Sequence, residues 1–266
     1  MKNEIDKAFE ITKKEKRPAL ISFTVAGDNT SKKSFEILKS ISNTVDIAEW
    51  GIAFNCPGAD GPEIQNSSYR AIKNGITLDS TFSLIKKYKK LKNSKPLILM
   101  GYYQLIYNYG EKKFIKKCKN VGVAGLIVVD LPWPDNKSFA KLCKKNSICF
   151  VQLIAPTTTK KRMKLIVKDS HELIYQVSNV NITGGKLKST AKTILNNYKT
   201  IKSINPKKHV IIGFGITKDT IGNFKAANGL VVGSACCKVI SNAIKKRQNP
   251  AKNLNIMLKD LKSRTI

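Results

Sequence analysis

At 266 residues the chain is long enough to bury a full core, and it fits one large α/β domain better than two small ones. No apolar run approaches the roughly 18 residues that a membrane span requires. The stretch from Met1 to Arg17 is charged and helical in pattern, without the apolar centre or cleavage site of a secretory signal, so a cytoplasmic protein is expected. The formal charge of +30 raises nucleic-acid binding, yet among 48 basic residues only Arg17, Arg70, Arg162, Arg247 and Arg264 are arginines, the residue that sequence-reading sites lean on. Pairs such as Lys13-Lys14, Lys86-Lys87 and Lys144-Lys145 fall on the polar faces of amphipathic patterns. This distribution predicts salt-sensitive nonspecific binding and no specific nucleic-acid partner. Six cysteines without paired spacing, and only His171 and His209, predict reduced thiols and no metal site.

In chain order, short apolar runs predict strands over Ala19 to Val25, Val45 to Gly51, Pro96 to Gly101, Ala124 to Asp130, Ile148 to Ile154, Leu173 to Ser178, His209 to Phe214 and Gly229 to Gly233. Between them lie helical periods: Phe35, Leu38, Ile41; Phe82, Ile85, Tyr88; Phe114, Cys118; Phe139, Leu142; Met163, Ile166; Ile194, Tyr198, Ile201; Ile221, Phe224; Val239, Ala243. Asp79 and Asp135 stand where helix N-caps are expected. Eight Val/Ile-rich strands, each followed by a helix, predict a single parallel (β/α)₈ barrel over residues 1–266, preceded by an N-terminal helix. A doubly wound sheet shares the alternation, but the strand count and the lack of an early Gly-rich fingerprint count against it.

Barrel chemistry gathers at the C-terminal strand ends, so the residues there matter most. The second strand carries Glu49 near its exit, in an apolar run that would exclude a carboxylate unless it were paired or used. Asp60 follows in a loop marked by Pro57-Gly58 and Gly61-Pro62, which can aim it back at the strand end. Two carboxylates in different environments can hold different protonation roles, which makes Glu49 and Asp60 the candidates for proton work. The sixth strand leads into Thr183-Gly184-Gly185, the seventh ends Gly213-Phe214-Gly215-Ile216, and the eighth ends Gly233-Ser234-Ala235 before a helix. Glycines there let backbone N–H groups close on an anion, and the helix starting near Ser234 adds its dipole, which predicts a phosphate cradle.

With these residues in view, the chain resembles the alpha subunit of tryptophan synthase over essentially its whole length. The resemblance is carried by Gly27-Asp28, Glu49 with Ala59-Asp60-Gly61-Pro62, Ile64-Gln65, Ala71, Gly75, Ala155-Pro156-Thr157-Thr158, Ile182-Thr183-Gly184, Gly213-Phe214-Gly215-Ile216 and Gly233-Ser234-Ala235. It implies retro-aldol cleavage of indole-3-glycerol phosphate to indole and glyceraldehyde 3-phosphate. It further implies no cofactor in this chain, with pyridoxal phosphate only in a beta partner, and a complex of two alpha and two beta chains. By the same resemblance Tyr175 lines the site near Glu49, Thr183 lies on a closing loop, Gly184, Gly215, Gly233 and Ser234 hold the phosphate, and Asp130 lies on the beta side.

The chain departs from that pattern where Cys56, Asn179 and Asn181 stand in place of an aspartate, an arginine and a glycine, so weaker stimulation by a beta chain is expected. Two other readings use the same residues. One is a weakly active or noncatalytic partner that activates a beta subunit, separated by a turnover assay. The other is a stand-alone lyase or another phosphate-binding barrel enzyme, which co-purification with a beta chain would argue against.

Overall fold

The computed structural model describes residues 3–177, 191–213 and 215–266. In chain order these form α1 (Glu4–Lys14), β1 (Ala19–Val25), α2 (Ser31–Ile41), β2 (Ile47–Gly51), α3 (Pro62–Lys73), α4 (Leu78–Lys89), β3 (Leu97–Gly101), α5 (Tyr103–Tyr109), α6 (Glu111–Val121), β4 (Gly125–Val128), α7 (Lys137–Lys145), β5 (Cys149–Phe150), β6 (Gln152–Ile154), α8 (Lys160–Asp169), β7 (Leu173–Val177), α9 (Ala191–Ile204), β8 (His209–Gly213), a 3₁₀ turn (Ile221–Phe224), β9 (Gly229–Val232), α10 (Ser234–Lys245) and α11 (Pro250–Ser263). No helix among the described residues is long and apolar enough to cross a membrane.

All strand pairs are parallel, in the order β5-β4-β3-β2-β1-β9-β8-β7-β6. The two ends of that order are consecutive halves of one extended stretch, the single strand expected over Ile148 to Ile154. The break falls at Val151, whose N–H donates to the Leu126 carbonyl (2.8 Å) while the next residues turn to pair with β7. The sheet therefore curls into a barrel with eight strand positions, each covered by helix.

Strands buried on both faces need apolar residues at every position, and the two faces fill different cores. Ile21, Phe23, Ile47, Ile98, Ile211 and Val231 point into the barrel, whereas Leu20, Trp50, Leu99, Leu126 and Val232 point out under the helices. Helix α1 closes the N-terminal end of the barrel. Its Ile5 and Phe9 belong to the inner cluster, and Phe9 stacks on the His209 ring at 4.3 Å between centroids. A Cβ at Gly125 or Gly229 would lie 3.0 Å from Ile5 or 3.2 Å from Phe9, so the small residues at those strand starts make room for the helix.

The helix caps differ from expectation. Thr77 caps α4, accepting from Ser80 N–H in a capping box, because its side chain stands one residue outside the helix. Asp79 lies inside the first turn and accepts from the Tyr109 hydroxyl instead. Asp135 precedes Asn136, the N-cap of α7, whose side-chain amide bonds Gln152 and the Leu131 carbonyl rather than the helix.

Candidate active site

Strand β2 places Glu49 between Phe23 of β1 and Ile98 of β3 in register, on the face that looks into the barrel. The alternation of β2 puts Trp50 under the helices and Glu49 inside, where it is 3% exposed and its Oε2 has no hydrogen-bond partner. Burial, and then the neighbouring Asp60, push its carboxyl up to about 8. Asp60 reaches the same space from the loop ahead of α3, held by its N–H to the Pro57 carbonyl (3.0 Å) and by Gln65, which donates to the Asp60 carbonyl (2.8 Å). Although it comes from a loop, Asp60 is 4% exposed, with the Tyr102 hydroxyl donating to its Oδ2 at 3.0 Å. Burial raises its carboxyl to about 6 and the Tyr102 bond opposes that rise. At neutral pH the site therefore holds a mostly protonated Glu49 beside a mostly ionised Asp60.

A cavity of about 400 Å³ joins these two groups to the ends of β7, β8 and β9, lined by Phe23, Met100, Tyr175, Gly215, Gly233 and Ser234 among others. The Tyr175 phenol is part-buried in the cavity wall and held un-ionised by desolvation, then by Glu49 and Asp60. Its space depends on Gly213, where a Cβ would come within 1.8 Å of the Tyr175 oxygen. Gly215 has φ +67°, a conformation that favours glycine. Gly233 is under no such demand, since a Cβ there would make ordinary contact with Phe23 at 3.8 Å. Helix α10 starts at Ser234 with its first turn facing the cavity. Cys236 and Cys237 donate to the Gly233 carbonyl, and the buried Ser234 hydroxyl has no partner.

Of the residues singled out in the sequence, the structure brings Glu49, Asp60, Tyr175, Gly215, Gly233 and Ser234 to one cavity. Thr183 and Gly184, with Phe214, Asn179 and Asn181, lie outside the described residues. Asp130 stands apart, accepting from the Tyr103 N–H at 2.7 Å and so capping the start of α5. Tyr102, Glu63 and Lys238 belong to the cavity or its hydrogen bonds but were not singled out. Tyr102 carried a readable signal, since it follows β3 directly at the catalytic end. Five of the six cysteines are buried and Cys56 is exposed, all as thiols. Cys149, His171 and Glu172 have donor atoms within 4.8 Å of one another. The His171 ring is committed to the fold, accepting from Phe150 N–H at 2.9 Å and bonding the Ala140 backbone, and burial pushes the Cys149 thiol up to about 12.

Residues 9–265 match the family model of the tryptophan synthase alpha chain. The chain belongs to the tryptophan synthase alpha chain family. The alpha chain of Pelagibacter ubique strain HTCC1062 is 59% identical over 256 residues, covering 96% of this chain and 97% of that protein. The alpha chain of Thermoanaerobacter sp. strain X514 is 36% identical over 264 residues, 98% and 96% of the two. Among solved structures, tryptophan synthase subunit alpha from Legionella pneumophila str. Paris superposes with a TM-score of 0.90 at 26% identity, covering 100% of this chain and 99% of that one. The reaction of the tryptophan synthase alpha family is the retro-aldol cleavage of indole-3-glycerol phosphate, so the chain is a carbon–carbon lyase of tryptophan biosynthesis.

Proposed function

We propose that Glu49 moves the protons of indole-3-glycerol phosphate cleavage and that Asp60 steadies the charge this creates on the indole. The observation that carries this is a buried carboxyl with one unpartnered oxygen, raised to about 8, aimed into a cavity that a second carboxyl shares. A group with a pKa near neutrality can both give and take a proton at useful rates. Protonated Glu49 delivers its proton to C3 of the indole, and the ring nitrogen becomes cationic. Asp60, ionised, accepts the N–H and stabilises that cation. The Glu49 carboxylate then takes the proton of the glycerol hydroxyl next to the ring. The carbon–carbon bond breaks, its electron pair returns to the ring as indole forms, and the released oxygen becomes the aldehyde of glyceraldehyde 3-phosphate. One proton has moved from hydroxyl to carbon and Glu49 is restored.

Tyr175 walls the space between the two carboxyls. Gly215, Gly233 and Ser234, with Gly184 from the segment after β7, hold the phosphate, and Thr183 closes over the substrate. Each proton transfer balances on Glu49 alone, which supports a chain that works without a cofactor, leaving pyridoxal phosphate to the beta subunit. We further infer a cytoplasmic complex of two alpha and two beta chains in which the replacements at Cys56, Asn179 and Asn181 weaken stimulation. The test is indole release by the purified chain with and without saturating beta chain. Activity that needs Glu49, and a ratio raised by Asn179→Arg with Asn181→Gly and Cys56→Asp, is expected. Unchanged affinity for the substrate in Ser234→Asp would overturn the phosphate assignment.

A further inference from the structure

Four acidic or basic side chains line the cavity: Glu49, Asp60, Glu63 and Lys238. Three of them are carboxyls. A phosphate monoester carries about 1.5 to 2 negative charges at neutral pH. The first turn of α10 offers N–H groups and the equivalent of about half a positive charge. Backbone dipoles alone would therefore leave a substantial negative charge uncompensated, in a cavity whose walls already hold ionised Asp60 and a second acidic side chain, Glu63. A cation in the same cavity offsets that charge, and Lys238 is the one lysine or arginine among the described lining residues.

Its place on the helix suits that task. Lys238 stands four residues after Ser234 in α10, so the two side chains rise from one face of the helix about one turn apart. Helical side chains lean toward the N-terminus, which carries the lysine stem back toward the turn where Ser234 and Ala235 begin the helix. Lys238 makes no ion pair with any described residue, and the Ser234 hydroxyl beside it is buried without a partner. The ammonium is thus held in no ion pair, and the hydroxyl lies buried in the cavity wall without a partner.

We propose that Lys238 is a substrate-binding residue whose ammonium neutralises the phosphate seated at the first turn of α10. This rests on the reading of the cavity as a phosphate site given above. The cation acts on binding alone, because the reacting atoms lie at the Glu49 and Asp60 end of the cavity. It also draws anionic substrate toward a mouth flanked by Glu63, so its contribution falls as salt rises.

The experiment compares the parent protein with Lys238→Met and Lys238→Arg, using inorganic phosphate as a competitor and indole as a neutral probe of the other end. Lys238 is exposed, and a thermal melt of each variant checks that the barrel is intact. In Lys238→Met the KM for indole-3-glycerol phosphate and the inhibition constant of inorganic phosphate are expected to rise about 10- to 100-fold at low salt. kcat and indole affinity should change by less than about threefold, the salt dependence should flatten, and Lys238→Arg should recover most of the loss. Phosphate inhibition in Lys238→Met equal to that of the parent, or a fall in kcat at constant KM, overturns the inference. A parent protein that inorganic phosphate does not inhibit overturns the phosphate reading itself, a separate and distinguishable failure.

Discussion

Asp46 and Glu49 lie three residues apart, just before and within β2, and the fold treats them in opposite ways. Asp46, at the closed end of the barrel, receives two hydrogen bonds from Arg17 (2.6 and 2.8 Å) and one from the Leu20 N–H (2.8 Å), with Lys262 at 3.5 Å. Burial pushes its carboxyl up, but the Arg17 and backbone bonds outweigh that and hold it below the usual carboxylate range. Glu49, at the open end, is buried without a cation, and burial decides its protonation. A buried carboxylate supplied with every partner becomes part of the frame. One denied them stays reactive, which suggests that function here is built from what the fold leaves unpaired.

The sharpest way to test this contrast is to neutralise each side chain in turn. Glu49→Gln should keep the fold and lose about 10² to 10⁴ in turnover, read as indole release, since a general acid–base contributes that much. Near-normal turnover would mean that another group moves the proton. Asp46→Asn should leave kcat within about twofold yet cost about 3 kcal/mol in urea unfolding, because it leaves the Arg17 guanidinium, itself only 5% exposed, with the half-exposed Glu15 as its remaining carboxylate partner among the described residues. A loss of activity larger than the loss of stability would break the division between the two barrel ends.

The pH dependence of stability provides the next test, with opposite signs for the two carboxyls. Between about 4.5 and 8 the folded chain holds the Glu49 proton that the unfolded chain has released, so this group makes stability fall as pH rises. Asp60 acts in the same direction up to about 6. Asp46 acts in reverse: its contribution is present above the unfolded value and disappears as pH falls through its lowered folded value. Glu49→Gln should therefore gain on the parent by about 2 kcal/mol between pH 6 and 8, measured by urea unfolding at both. Parallel curves would show that Glu49 is not held protonated. The smallest effect is expected from Tyr102→Phe. It removes the bond that lowers Asp60, so the acidic limb of the pH–rate profile should move up by less than about one unit.

Much of this frame was legible in the chain. The bounds of β1 were read as they stand, because a mostly apolar run begins directly behind Pro18 and closes before the Gly27-Asp28 turn. The stretch Ile148 to Ile154 read as one strand since its pattern is continuous; the break at Val151 comes from neighbours that diverge on either side, which no local pattern records. Asp79 and Asp135 misled as caps because residue type marks a helix start only to within a turn, and Thr77 competes for the same role. Glu49 was conspicuous as a charge inside an apolar run. Lys238 was hidden by its company, one lysine on a polar helix face among many, and only the barrel's curvature turns it toward the cavity. The burial of Asp60 was likewise invisible, since it depends on Tyr102 arriving from a different strand.

The helix that stoppers the barrel also sets a constraint on synthesis. Helix α1 precedes every strand and so leaves the ribosome before any of them, yet the surface it docks on includes His209 and Gly229, made when most of the chain is already out. Until then Phe9 lacks the His209 ring and the Gly229 notch that complete its native seat. A helix made before every strand is thus among the last elements to be fully seated, and a nascent chain must keep its greasy stripe from pairing with strangers until β8 and β9 emerge.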